Sequence, residues 1–313
     1  MTILSAAAGI ALIALAMHDI FTLLFRPGAQ SRFSAAIART IWSVLRRAGG
    51  RRRGVLALAG PTALAAVIAF WALALVAGWT LLYLPHYPDD YVLAEGTVAH
   101  APLVGALHAS LTTVTTLGSA NAVPKTAWLQ VVGPIEALLG FGVLTAAVAW
   151  LLQIYPVLSR RRALTYEIHL LADTERRLSL DVAQLETSMA SQLYGELTSR
   201  LIGVERDLVK FPITYYFAET DARFSLAAAM PVLTEIAERG TAAQHPESVR
   251  LRAAMLHEAI DDLVTTIAER FVVHRRHDID ATTDATRAFS ADHRHDAEDS
   301  VPEPDPPAGV PRG

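Results

Sequence analysis

Between the second and third of three long apolar runs lies Ser110 to Pro124, reading S-L-T-T-V-T-T-L-G-S-A-N-A-V-P, where a chain can dip into a membrane and return. Its centre, Thr115-Thr116-Leu117-Gly118, carries the chemistry. Irregular backbone at membrane depth must have its polar groups covered by protein or by water. A second polar group, Glu136, stands inside the third apolar run, where a carboxyl must be protonated or paired. His18 and Asp19 lie near the inner end of the first run, within reach of headgroups or of a basic loop residue. Elsewhere the histidines, serines and carboxylates show no triad, metal-ligand or phosphate-cradle spacing, so no enzyme is expected. No G-x-G-x-x-G follows a strand, which argues against a Rossmann-type regulatory domain.

The stretch resembles the pore loop of the bacterial two-transmembrane potassium channel family, and the resemblance covers about residues 55–157. In that family a Ser opens the last turn of a pore helix, T-x-T-T follows, and V/I/L-G-aromatic-G-D leads to a Pro. Here Ser110, Thr113, Thr115, Thr116, Leu117, Gly118 and Pro124 occupy those places. The resemblance implies a homotetramer whose selectivity filter is Thr115, Thr116, Leu117, Gly118, Ser119 and Ala120, with K+ as the permeant ion and no cofactor. Filter support is expected from Thr112, Thr113, Asn121 and Glu136, the last either bonding the back of the pore helix through Thr112 or Thr113 or facing a neighbouring helix in its neutral form. Gly140 falls where the family carries a gating hinge, although small-residue packing with Gly133, Ala137 and Gly142 would explain it too.

The departures set the expected selectivity. Ser119, Ala120 and Asn121 stand in place of aromatic, Gly and Asp, and His108 and Ala109 in place of two tryptophans, so the aromatic cuff is missing. A glycine allows φ > 0 where Ala120 costs about 1 kcal/mol or more per chain. The expectation is a weakly selective potassium-type cation channel. The alternative is a non-conducting, channel-derived scaffold or sensor that signals through cytoplasmic helices.

The elements that must position this loop follow from composition. With 52% hydrophobic residues, no cysteine and a net charge of -4, the chain is expected to be part embedded and part aqueous, without disulfides and without a nucleic-acid partner. The fold class expected is an all-α membrane protein with three transmembrane helices, a re-entrant pore helix and filter loop, a cytoplasmic helical or coiled-coil region and a disordered tail. A first transmembrane helix is expected over residues 1–26, an outer helix over 55–84, a pore helix over 102–114 and an inner helix over 129–157. Residues 27–54 hold Arg26 just before them and Arg32, Arg39, Arg46, Arg47 and Arg51 to Arg53 within, with no acid. Phe33, Ile37, Ile41 and Val44 recur at helical spacing there, which predicts an amphipathic helix on anionic lipid at the inner leaflet. With Arg160 to Arg162 after the third run, the positive-inside rule puts the N-terminus outside and the C-terminal region in the cytoplasm.

Residues 158–275 read as cytoplasmic helices with no readable ligand. A heptad seam runs through Leu164, Ile168, Leu171, Leu178, Val182, Leu185 and Met189, with Glu175 out of pattern, and predicts one long or coiled-coil helix that ends near Phe211-Pro212. Phe211, Tyr215, Tyr216, Phe217 and Phe224 are expected to form one core cluster. Residues 276–313, rich in acids and prolines, read as a disordered tail whose histidines lack metal-cage spacing.

Overall fold

A computed structural model describes residues 2–26, 31–48, 53–94, 101–118, 122–272 and 289–293. The chain is mostly helical and divides into two compact units. One comprises Met1–Val44, Ala59–Pro156 and Lys210–Tyr216, the other Leu45–Leu58, Val157–Val209 and Phe217–Gly313.

In the first unit, α1 (Thr2–Phe25) lies along α4 (Ala59–Tyr83). A Cβ on Gly9 would stand 2.5 Å from the Gly78 carbonyl oxygen, so the two backbones meet where only glycine fits. With α6 (Ala127–Leu178) these helices carry the three stretches long and apolar enough to cross a membrane, Ile3–Phe25, Gly54–His86 and Ala127–Leu178. The helix expected over 55–84 is interrupted after α3 (Arg53–Ala57), because Pro61 has no N–H to offer the Ala57 carbonyl. On α2 (Arg32–Ala48) the protein buries a stripe of Ser34, Ala38 and Trp42. Phe33 and Val44 of the expected apolar stripe stay 46% and 54% exposed, so the helix has one face for protein and another turned outward.

α5 (Pro102–Val114) begins with proline at its first position and is 13 residues long. Flanking it, β1 (Tyr91–Leu93) and β2 (Ala122–Pro124) pair antiparallel, with Tyr91 opposite Pro124 and Leu93 opposite Ala122. An all-α expectation contained no such strand pair. α6 passes Pro134 and Pro156 and continues to Leu178, well beyond the expected end at 157. Each proline removes one backbone hydrogen bond, which bends a packed helix more readily than it ends one.

In the second unit the last part of α6 and α7 (Thr187–Lys210) form an antiparallel hairpin, with Arg160 bonded to Asp207 at 2.9 Å and Arg200 paired with Glu167. The heptad seam is therefore not one helix. Ser179 turns at φ 52°, and Glu175, the charged seam position, accepts from the Val182 N–H at 2.7 Å and from Arg239 at 2.6 Å. Leu164 and Ile168 are buried, whereas Leu178 and Met189 are exposed on either side of the break. α8 (Leu226–Thr241) and α9 (Glu247–Ile267) complete this unit, and a π-turn over Ala268–Val272 extends α9. At its centre Tyr194 is fully buried and donates to the Ile236 carbonyl at 3.1 Å; burial pushes its phenol up to about 12.

The aromatic cluster divides. Tyr215 and Tyr216 pack on Trp42 within the first unit, while Phe224 stacks on Tyr166 in the second, since the chain passes between units at Tyr216. Within the tail expected to be disordered, residues 289–293 form a helical turn. Phe289 is buried there, Ser290 donates to the Ala227 carbonyl at 3.1 Å, and Asp292 pairs with Arg46. His274, His277 and His295 lie outside the described residues, and His293 packs on Phe289.

Candidate functional site

α5 ends at Val114, and the chain then reverses handedness residue by residue. Thr115 has φ −81°, Thr116 +58° and Gly118 +71°, with Leu117 between them on the negative side. The N–H of Thr115 bonds to the Leu111 carbonyl at 3.1 Å, that of Thr116 to Thr113 at 2.9 Å and that of Gly118 to Thr112 at 3.1 Å. These amides close the orphan carbonyls at the end of α5. In a planar trans peptide the N–H and the preceding C=O point opposite ways, so the carbonyls of Thr115 and Leu117 are turned away from α5. Among the described residues, none donates to the carbonyls of Thr115, Thr116 or Leu117. Leu117 is 80% exposed. Ser119, Ala120 and Asn121 lie outside the described residues.

The threonine hydroxyls fold back on their own helix. Thr112 donates to His108 at 2.9 Å, Thr113 to Ala109 at 2.8 Å and Thr115 to Leu111 at 2.6 Å, all to backbone carbonyls. Neither Thr112 nor Thr113 therefore reaches Glu136. Glu136 is completely buried and takes one donor on each oxygen, Ser110 Oγ at 2.7 Å on Oε1 and the Tyr83 hydroxyl at 2.5 Å on Oε2. Ser110 also reaches the Val76 carbonyl at 3.2 Å. One carboxyl thus ties α4, α5 and α6 together through neutral donors. Four residues on, a Cβ at Gly140 would stand 2.3 Å from the Val114 carbonyl oxygen, so the end of α5 rests directly on the backbone of α6. The helix is unbroken there.

A cavity of about 450 Å³ lies between the 115–118 loop and α6, with Ala109, Thr113, Thr116, Gly133 and Ala137 among its walls. Tyr91 closes one side. Burial pushes its phenol well above the ordinary range, and the nearby Glu136 adds to this.

A second buried carboxyl escaped sequence reasoning in its details. Asp19, 1% exposed, accepts from Ser34 Oγ at 2.6 Å and from Trp71 Nε1 at 2.7 Å, both on Oδ2. The basic loop residue expected as its partner is replaced by a hydroxyl and an indole. Among the described residues, Oδ1 and Thr22 Oγ1 are buried without a hydrogen-bond partner. Trp71 in turn packs on Trp150 of α6, ring centroids 5.3 Å apart. Among the described residues no group of three or more His, Asp or Glu side chains could hold a metal ion.

No family model and no solved structure matches the chain. It is 22% identical over 311 residues to the uncharacterized membrane protein YdjJ of Bacillus subtilis, across 95% of this chain and 82% of that protein. The three apolar helices and this relative agree on a membrane protein.

Proposed function

We propose that the chain is a subunit of a potassium-type cation channel, four copies enclosing one pore whose wall is the 115–118 loop. The observation that carries this reading is the alternation of handedness after α5, which spends the amides on the helix end and leaves carbonyl oxygens unengaged. The negative end of the α5 dipole lies at the same place and favours a cation there. α5 spans about 20 Å at ~1.5 Å per residue, too short to cross a bilayer. Irregular backbone between spanning helices is tolerated only where protein or water covers it, and further copies around an axis supply both. In this reading α5 is the pore helix, α6 the inner helix, and the second unit lies in the cytoplasm by the positive-inside rule.

The selectivity proposed is weak, because the space behind the loop is a cavity rather than a packed aromatic cuff. That cavity also favours a second reading, a non-conducting scaffold whose second unit signals to a partner. Purified protein in liposomes separates the two. Rubidium or potassium uptake blocked by barium supports the channel, and absence of flux for every monovalent cation tried contradicts it.

A further inference from the structure

We propose that the cavity behind the 115–118 loop is a binding site for a neutral amphiphile, an apolar body whose single hydroxyl head pairs with Tyr91. Its size falls in the range of small-molecule sites, and its walls are chiefly small apolar groups, with Ala109, Gly133 and Ala137 leaving the room that larger side chains would fill. No lining residue bears a charge at neutral pH, so the walls favour neither an anion nor a cation. Tyr91 is 5% exposed and, among the described residues, its hydroxyl makes no hydrogen bond, although the neighbouring Tyr83 spends its own on Glu136. Tyr91 lines the cavity with its hydroxyl uncommitted, and a hydroxyl or carbonyl oxygen arriving with an apolar body can pair with it. Gln130 also lines the cavity and donates its amide N–H to the Pro124 carbonyl at 3.0 Å. Thr116 and Gly118 line the cavity too, so an occupant touches the back of the loop.

The test requires no ion flux, and its failure leaves the channel reading standing. The full chain in nanodiscs is photolabelled with a diazirine-bearing octanol, and the labelled peptides are identified by mass spectrometry. Labelling within residues 109–137, competed by excess octanol, is expected. Gly133 lines the cavity and a Cβ there meets nothing within 4 Å, so Gly133→Leu adds bulk from an open position and raises helix propensity. It is expected to abolish that labelling at unchanged thermal stability, and Tyr91→Phe to weaken octanol binding about fivefold, the equivalent of one hydrogen bond. If Gly133→Leu does not fold, Ala109→Val takes its place. Labelling elsewhere, or labelling in the same peptides that survives cavity filling, overturns the proposal. Mass spectrometry of lipid that copurifies identifies the source: a bound hydroxyl-bearing lipid points to the bilayer, an empty site that octanol fills points to a free small alcohol.

Discussion

Glu136 and Asp19 are both carboxyls buried inside the first unit, both held by neutral donors, and they are held differently. Glu136 receives one hydroxyl on each oxygen and sits at the meeting of three helices. Asp19 receives a hydroxyl and an indole on the same oxygen and, among the described residues, leaves the other without a partner. The contrast separates two jobs that a buried acid can do. A carboxyl bonded through both oxygens is a clamp held at two points, whereas one bonded through a single oxygen keeps the other available to accept. The clamp stands behind the candidate pore loop. The open acid stands where α1, α2 and α4 join.

The strongest way to break the clamp is to push α5 off α6. Gly140→Ala places a methyl 2.3 Å from the Val114 carbonyl oxygen and is expected to destabilise by about 3 kcal/mol in thermal unfolding, although alanine is the better helix former. A neutral or stabilising result would mean that the close approach is not needed. Glu136→Leu comes next. Ser110 can fall back on the Val76 carbonyl, but the Tyr83 hydroxyl is left buried without an acceptor, for a loss of about 2 kcal/mol. Flux retained at the wild-type rate in this variant would divorce the clamp from the loop.

The amide substitutions sharpen the comparison with the smallest effects. Glutamine at 136 offers one acceptor and one donor group where two hydroxyls donate, so one hydroxyl must reverse, and Glu136→Gln is expected to cost about 1 kcal/mol. Asparagine at 19 can take both donors on its one carbonyl oxygen and turn its amide to the open side, next to the unpartnered Thr22 hydroxyl one helical turn on. Asp19→Asn is therefore expected to change stability by less than about 0.5 kcal/mol. Equal losses in the two variants would erase the distinction.

How much of this was legible in the sequence follows from the range of the interactions. The three apolar runs and the short helix over 102–114 show themselves locally, through length and composition. The apolar run marks the inner helix only to about 157, whereas α6 continues through Pro156 and the arginines to Leu178, where polar residues carry no hydropathy signal. The three-residue strands are too brief to carry an alternating pattern. Glu136 stood out as a buried acid, yet Ser110, Thr112 and Thr113 are equally plausible partners until the rotation of α5 is known. The bonds of Asp19 reach 15 and 52 residues along the chain, beyond any local signal. Glu175 was visible as a break in the heptad, and the hairpin turns there because that carboxylate caps the turn instead of facing a seam.

Imaging the purified protein in lipid nanodiscs with potassium present bears most directly on the pore. The account predicts a fourfold particle with the carbonyls of Thr115 and Leu117 facing the axis and density for a cation between them. A monomer or dimer, or four copies with those oxygens directed away from the axis, would contradict it.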